Sequence, residues 1–582
     1  MHWIDWLVLI AFLGYTIWDG TRHGKQSENI EGFFLANRSM PWWAMGLSVM
    51  ATQASAITFI GTTGQAYVED MRFVQIYLAV PFAMIILCTT LVPFFNKLQN
   101  FSAYEVLEKR FGLSTRLFTS LLFLFSRGLG LGIIIAAPSY VLAVLLNLPL
   151  STTILIIGIT ATLYTMVGGI SGVIRTDVKQ MAVMFFGLGF CFYWIHYQMP
   201  EAVGFSDSLY LAGTLGKLEA LDLSFDISEK YNVWTGVIAA LFLMLSYFGT
   251  DQSQVQRYLT AKSLDDARNS LLLSAYAKVP MQFFVLLLGA MLYVFYVFGD
   301  APITFRSADP VAQDENIELA GEMLEHEYQT AHLERRKAAL ALLENQTSEN
   351  AEKLRNADEH LNEVRQQELE RQEKITKSSL NDTNYILPYF ILNEIPIGII
   401  GLIVAGIFAA ALSSIDSELN ALATISIVDW YKRLDSKDRS EAWYLKSSRW
   451  TTVFWGVLAT LAALALGETR SIIELVNKIG SYFYGSILGV FVLLLWVKRA
   501  NGVGALTGLI SGMGTVFLFD RLYDNPETNA TELIMPWETI PEGFTKSIEY
   551  LWLNPVGTVM VIIVGISVSI IWNRIEAGDT QN

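Results

Sequence analysis

The chain has 582 residues, 53% of them hydrophobic and only 16% charged, with a formal net charge of −15. Soluble domains carry roughly a quarter of their residues as charged side chains, so this balance excludes an ordinary soluble domain and indicates an all-α polytopic membrane protein. The acidic total argues against nucleic acid as a partner and leaves the lipid bilayer as the expected surroundings.

Apolar runs long enough to cross a bilayer recur thirteen times, over 3–20, 40–67, 72–95, 116–147, 150–168, 176–199, 232–256, 268–299, 387–428, 447–467, 470–497, 503–520 and 548–573. The first follows Met1-His2-Trp3-Ile4-Asp5, which has neither a basic leader nor a small-residue cleavage site. It is expected as a retained helix rather than a signal peptide. With the N-terminus outside, the inner loops collect Arg22, Lys25, Lys97, Arg110, Arg257, Lys262, Lys432, Arg433, Lys498 and Arg574 among others. The short outer loops hold only Arg72, Lys217, Lys230, Arg470, Arg521 and Lys546. This bias predicts an odd number of spans, N-out and C-in.

In the second run, Ala51-Thr52-Gln53-Ala54-Ser55-Ala56-Ile57-Thr58 is small and polar amid apolar neighbours. It is a candidate helix break, where free carbonyls and helix ends meet an ion or a substrate. Cys88 and Cys191 both fall in predicted spans, so neither a disulfide framework nor a metal cluster is expected. Arg127 sits about eleven residues into its span, about 17 Å along a helix, and at that depth it needs an anion or several carbonyls. The expected partner is either a solute carboxylate or a structural group such as Glu474 or Glu418. Gly128-Leu129-Gly130-Leu131-Gly132 follows no strand and is no nucleotide loop.

Residues 301–385 differ from the rest, being charged and poor in glycine. Two apolar stripes at helical spacing, Ile317 to Leu342 and Leu354 to Val364, flank Asn345-Gln346-Thr347-Ser348. They predict a helical hairpin outside the membrane, serving either as a solvated insertion or as a docking element for a protein partner. Further on, Ser413-Ser414-Ile415-Asp416-Ser417-Glu418 follows the apolar 397–405. Hydroxyls and carboxylates persist in hydrocarbon when they face a cavity, a partner or an ion, and a hard cation such as sodium wants oxygen ligands. Gly504, Gly508 and Gly512 predict close helix packing.

Four segments then combine. Pro41-Trp42-Trp43-Ala44-Met45-Gly46-Leu47-Ser48 runs into 51–64, and Gly168-Gly169-Ile170 precedes Arg175-Thr176-Asp177. Gly249-Thr250-Asp251-Gln252 precedes Val255-Gln256-Arg257, and Gly401 leads to Asn420. In this order they resemble the sodium/solute symporter family, which includes sodium-coupled sugar, proline, sialic acid, monocarboxylate and iodide carriers. The resemblance covers roughly 30–500, with the 301–385 insert as its main departure.

The resemblance implies a LeuT-type inverted repeat of five plus five helices. Residues 40–199 would form one repeat and 232–497, interrupted by the insert, the other. One helix over 3–20 would precede them and two over 503–573 would follow. It also implies a sodium site made of the carbonyls of Ala51, Ala54 and Ala410 with the hydroxyls of Ser413 and Ser414. Read from the residues alone, Ser413 and Ser414 could equally bond the carbonyls one turn back. A second ion would use Asp177, Asp416 and Ser417, with Asp416 a carboxylate where the family can use a hydroxyl. Two acids near one site suit two cations, or one cation and one proton. Asp177 could instead cap a helix start or pair with Arg175 or Lys179.

For the solute, the resemblance implies Gln53, Ser55, Thr58, Lys278 and Asn477, with Arg127 where sialic acid carriers hold an arginine and Tyr247 as the inner gate. The expected activity is sodium-driven symport of a small polar solute, a sugar or small organic acid, through the inner (cytoplasmic) membrane, with Na+ as coupling ion. Two alternatives stay open: proton coupling through Asp177 and Asp416, and a sensor signalling through the hairpin. No catalytic constellation is present, so an enzyme is not expected.

Overall fold

The computed structural model describes residues 1–22, 29–306, 315–376, 382–437, 439–466, 472–526, 528, 530–535, 538, 540–541 and 543–579. Within hydrocarbon every backbone N–H and C=O must be satisfied inside its own segment, so the apolar runs form helices. In chain order these are α1 (Trp3–Arg22), α2 (Trp42–Gln53), α3 (Ala56–Val68), α4 (Arg72–Leu98), α5 (Leu113–Leu146) and α6 (Leu150–Gln198). There follow α7 (Thr235–Thr250), α8 (Gln252–Leu259), α9 (Leu264–Phe298), α10 (Glu315–Glu344) and α11 (Ser348–Thr376). The chain closes with α12 (Ile399–Ile425), α13 (Glu441–Leu466), α14 (Ile472–Trp496), α15 (Gly502–Phe519) and α16 (Leu553–Asp579).

Among the described residues nine helices are long and apolar enough to cross a membrane, ten with the bent pair α2–α3. Each of the thirteen expected runs corresponds to a helix or part of one, although α1 and α7 fall short of that length-and-hydropathy standard. Two boundaries differ from expectation. The runs 150–168 and 176–199 form the single 49-residue α6, divided at Gly169 with φ 55°. A Cβ there would meet the carbonyl of Phe33, so glycine serves both the turn and the close approach. Asp177 therefore lies about two turns beyond the division, not at a helix start. The run 387–428 divides into a short helix, Ile386–Glu394, and α12, because Pro396 and Gly398 interrupt it.

Buried polar contacts then set the helices against each other. Asp5 of α1 accepts from the backbone N–H of Gly398 (2.6 Å) and Gly401 (3.0 Å), capping the start of α12. Gly504, Gly508 and Gly512 press α15 against Val561 and Gly565 of α16, as their spacing predicts. Between α15 and α16 the all-helical expectation meets a small exception. Strands β1 (Leu522–Asp524), β2 (Thr531–Leu533) and β3 (Thr545–Lys546) form an antiparallel sheet in the order β2-β1-β3.

The insert is the predicted hairpin, α10 and α11, but it is not freely solvated. Its stripes are turned inward: Tyr328, Ala331, Leu361 and Val364 form their own cluster, while Ala339, Leu342 and Leu354 join the main core. The side chain of Ile317 lies outside the described part. Asp358 accepts from Tyr293 Oη of α9 (2.7 Å) and from Arg335 (3.2 Å), whose guanidinium also donates to Tyr296 O (2.7 Å).

Candidate functional site at the broken helix

The helix of the second run ends at Gln53, and Ala54 leaves helical geometry with φ −86° and ψ 58°. Ser55 restarts it, its Oγ accepting from Thr58 N–H at the head of α3 (3.4 Å). Thr58 Oγ1 in turn donates to Gln53 O (3.0 Å). Ser55 and Thr58, expected as solute contacts, thus first hold the break itself. No hydrogen bond among the described residues ends on the carbonyl of Ala51 or Ala54, and such orphaned buried carbonyls seek a partner.

α12 passes beside this break. Ser414 Oγ donates to Thr52 O (3.2 Å) and approaches Ala410 O (3.4 Å). The second contact is the back-bond one turn away; the first ties α12 to the interrupted helix. Ser413 Oγ is buried and faces the Asp177 carboxylate without a well-formed hydrogen bond. The residues expected to hold sodium, Ala51, Ala54, Ala410, Ser413 and Ser414, therefore lie along two adjacent segments that Ser414 ties together. That donor set fits a hard monovalent cation.

The residues expected around a second ion also meet, with an addition. Asp177 accepts from Ser48 Oγ (2.5 Å), and its Oδ1 lacks a well-formed hydrogen bond. Asp416 accepts from Tyr164 Oη (2.5 Å) and from Ser417 Oγ (3.1 Å). Among them lies Arg257 of α8, fully buried. Its Nε donates to Ser48 Oγ (2.8 Å), its terminal nitrogens to Thr52, Ser417 and the Ser253 carbonyl, and it stands 3.6 Å from Asp177. The reading of Asp177 as a cap, or as a partner of Arg175 or Lys179, is corrected here. Asp177 is mid-helix, and Lys179 pairs with Asp19.

On the other side of the break is a cavity whose wall includes Gln53, Ser55, Thr58, Arg127, Tyr247 and Glu418. Arg127 is held by two carboxylates. Its Nε donates to Asp251 Oδ2 (2.6 Å) and its Nη1 lies 3.1 Å from Glu418 Oε1. The guanidinium carbon is 5.4 Å and 5.3 Å from the ring centroids of Tyr247 and Tyr484, within cation–π range. Lys278 is fully buried beside the cavity, its Nζ 3.4 Å from Gln53 O and 5.0 Å from the Tyr77 ring centroid. It stands behind the wall rather than in it. Asn477 belongs to α14, but its side chain lies outside the described residues, as does that of Glu474.

Two residues here were not singled out by the sequence: Arg257, counted among the inner-loop cations but fully buried, and Asp251. Both stand in motifs that carried the family resemblance, but a motif names residues without saying which opposite charge each one meets. Among the described residues no cluster of His, Cys, Asp or Glu could hold a metal through those side chains.

Comparison with known proteins bears on the family and the fold. The sequence profile of the sodium:solute symporter family matches residues 33–325 and 369–512. The chain is 28% identical to the sodium/sialic acid symporter SiaT of Proteus mirabilis, over 87% of each protein. It is 26% identical to the sodium/sialic acid symporter NanT of Aliivibrio fischeri, over 97% of this chain and 92% of that one. It is also 25% identical to the mouse sodium-coupled monocarboxylate transporter 1, over 94% and 83%. Its fold superposes on a sodium-coupled sialic acid symporter solved in a substrate-bound, outward-open state, with a TM-score of 0.72 at 25% identity over 98% of both chains. The helices therefore follow a LeuT-like plan.

Proposed function

Because the chain belongs to the sodium:solute symporter family, we propose that it uses inward sodium flow across the cell membrane to accumulate a small polar solute, with its N-terminus outside. It is a multi-pass membrane transporter, not an enzyme. The two repeats are taken as 40–199 and 232–497, with α10 and α11 outside. Sodium would bind the carbonyls of Ala51, Ala54 and Ala410 and the hydroxyls of Ser413 and Ser414. The observation that carries this reading is the contact of Ser414 with the carbonyl of Thr52 at an interrupted helix, where Ala54 leaves helical geometry. Binding there favours the conformation in which break and α12 stay together, and coupling follows from the difference in sodium affinity between conformations. The solute would leave inward past Tyr247.

The test is thermal stability of the purified protein in sodium against potassium, since only an ion that binds the folded form stabilises it. Sodium should raise the melting temperature. Ser413→Ala and Ser414→Ala should each raise the sodium concentration for half the effect by about tenfold, the weight of one lost ligand at roughly 1.4 kcal/mol. Equal curves in sodium and potassium would remove the site.

A second reading, proton coupling, is favoured by one specific feature. Asp416 and Asp177 are both fully buried, and Arg257 stands 3.6 Å from Asp177 while donating to Ser417, which itself donates to Asp416. Uptake that persists without sodium and follows an imposed pH gradient would select it.

A further inference from the structure

The segment joining α12 to α13 is basic within an acidic chain. Residues 430–450 hold Lys432, Arg433, Lys437, Arg439, Lys446 and Arg449 against only Asp435, Asp438 and Glu441, while the whole chain carries −15. In the topology proposed for the carrier, N-terminus outside, this segment faces the cytoplasm. Two of its arginines are committed, Arg433 to Glu108 (2.9 Å) and Arg439 to Asp435 (2.5 Å). Lys446 forms no ion pair among the described residues.

α12 runs on into a wider, π-helical turn, Ser426–Tyr431, a distortion common at functional sites. Two ties fix α13 beside that turn. Trp443 Nε1 donates to Tyr431 Oη (2.8 Å), with the Arg439 guanidinium 4.9 Å from the Trp443 ring centroid, and Trp455 Nε1 donates to Ser426 Oγ (3.0 Å). Between the ties opens a groove of about 440 Å³ whose wall includes Ile427, Tyr431, Trp443, Lys446, Trp450 and Phe454. The last four share one face of α13, which continues with exposed Val457, Leu458 and Leu461. An apolar track thus runs from the ammonium of Lys446 into the hydrocarbon.

We propose that this groove binds an anionic phospholipid of the cytoplasmic leaflet, its phosphate at Lys446 and its acyl chains along Trp450, Phe454 and Leu461. A free cation at the head of an apolar track complements an amphiphile with a negative head, and basic pockets between helices on the cytoplasmic side take such headgroups. Indole rings favour the same depth. The Trp450 N–H, unlike those of Trp443 and Trp455, donates to nothing among the described residues and is open to a phosphate or ester oxygen. A zwitterionic lipid brings its own cation toward Lys446. A second copy of the chain, related by a two-fold axis, sets this basic segment against itself.

The experiment uses the purified, delipidated full chain in detergent, with phosphatidylglycerol, phosphatidylcholine or glycerol phosphate added separately. Thermal stability gives the apparent affinity, and native mass spectrometry counts retained lipid. Phosphatidylglycerol should stabilise the protein and be retained, phosphatidylcholine should need at least about fivefold more for the same shift, and glycerol phosphate should have no effect. Lys446→Gln should weaken phosphatidylglycerol about fivefold, the weight of one lysine near an anionic surface. Trp450→Ala should weaken its retention as well. Both side chains are exposed, so neither change should move the melting temperature without lipid. Lys353→Gln, on an exposed lysine of the hairpin paired with Glu349, should bind like the parent. Equal responses to the two lipids, stabilisation by glycerol phosphate, parent-like binding by Lys446→Gln, or an equal loss in Lys353→Gln overturns the proposal. So does a dimer, weighed by light scattering, that Trp450→Ala dissolves whether or not lipid is present. Neither sodium nor solute enters these measurements, so this inference and the symport reading fail separately.

Discussion

At the residue scale the protein's chemistry rests on a few charges that helices hold in place. Arg127 and Arg257 each meet several acceptors from different helices, and each is buried. Removing one member of such a group is far costlier than never having built it. Arg127→Ala should cost about 3–5 kcal/mol, because Asp251 and Glu418 are left facing each other without a cation. Denaturant unfolding in detergent would measure it, and adding Glu418→Gln should recover part of the loss. Arg257→Lys should also destabilise, despite keeping the charge. An ammonium is a point donor, whereas the planar guanidinium here spreads its donors over Ser48, Thr52, Ser417 and the Ser253 carbonyl. An Arg257→Lys variant as stable as the parent would show that the spread does not matter.

At the element scale the hairpin of α10 and α11 is bolted to the end of α9, and a neighbouring loop to the end of α3. Lys217, in the loop before α7, donates to Val68 O (2.7 Å) and Glu69 O (3.2 Å) at the end of α3, and its Nζ lies 4.2 Å from the Tyr293 ring centroid. Asp358 reaches the same tyrosine from the hairpin. Asp358→Ala leaves Arg335 uncompensated and should loosen the hairpin, read as faster limited proteolysis within 315–376 while the spans stay protected. Burial pushes the Lys217 ammonium down to about 8 from its ordinary 10.5. Between those values the open state binds more protons than the docked one, so docking strengthens as pH rises through that window and gains nothing above it. Below about 8 both states are protonated and the docked state bears the full burial cost. The melting temperature of the parent should therefore rise relative to Lys217→Met from about pH 8 to about pH 10; parallel curves would take Lys217 out of the contact.

At the scale of the whole molecule, carriers of this fold work by rocking one bundle against another around a fixed site. Thr52 Oγ1 of α2 and Ser417 Oγ of α12 lie 3.2 Å apart. Joining them through Thr52→Cys with Ser417→Cys should arrest uptake under oxidation and restore it under reductant; uptake unaffected by a formed crosslink would mean that α2 and α12 move together. Hydropathy was enough to find the helices of the apolar runs, though not how Gly169 and Pro396 divide them, because in lipid a segment must satisfy its own backbone and so declares itself locally. The break at 51–58 was legible for the same reason, as small polar residues inside an apolar helix. The hairpin's helices were legible from their periodicity, but their docking was not, since a stripe shows that a face is buried without showing against what. Glu418 was in view as a partner of Arg127, but Asp251 and the partners of Arg257 and Lys278 lay beyond the sequence. A buried charge takes whichever opposite charge the packing of distant segments brings within reach, and Arg127 finds Asp251 across 124 positions of chain. Elements are local properties of the sequence; the charge balance of the cavity exists only once those elements have been packed together.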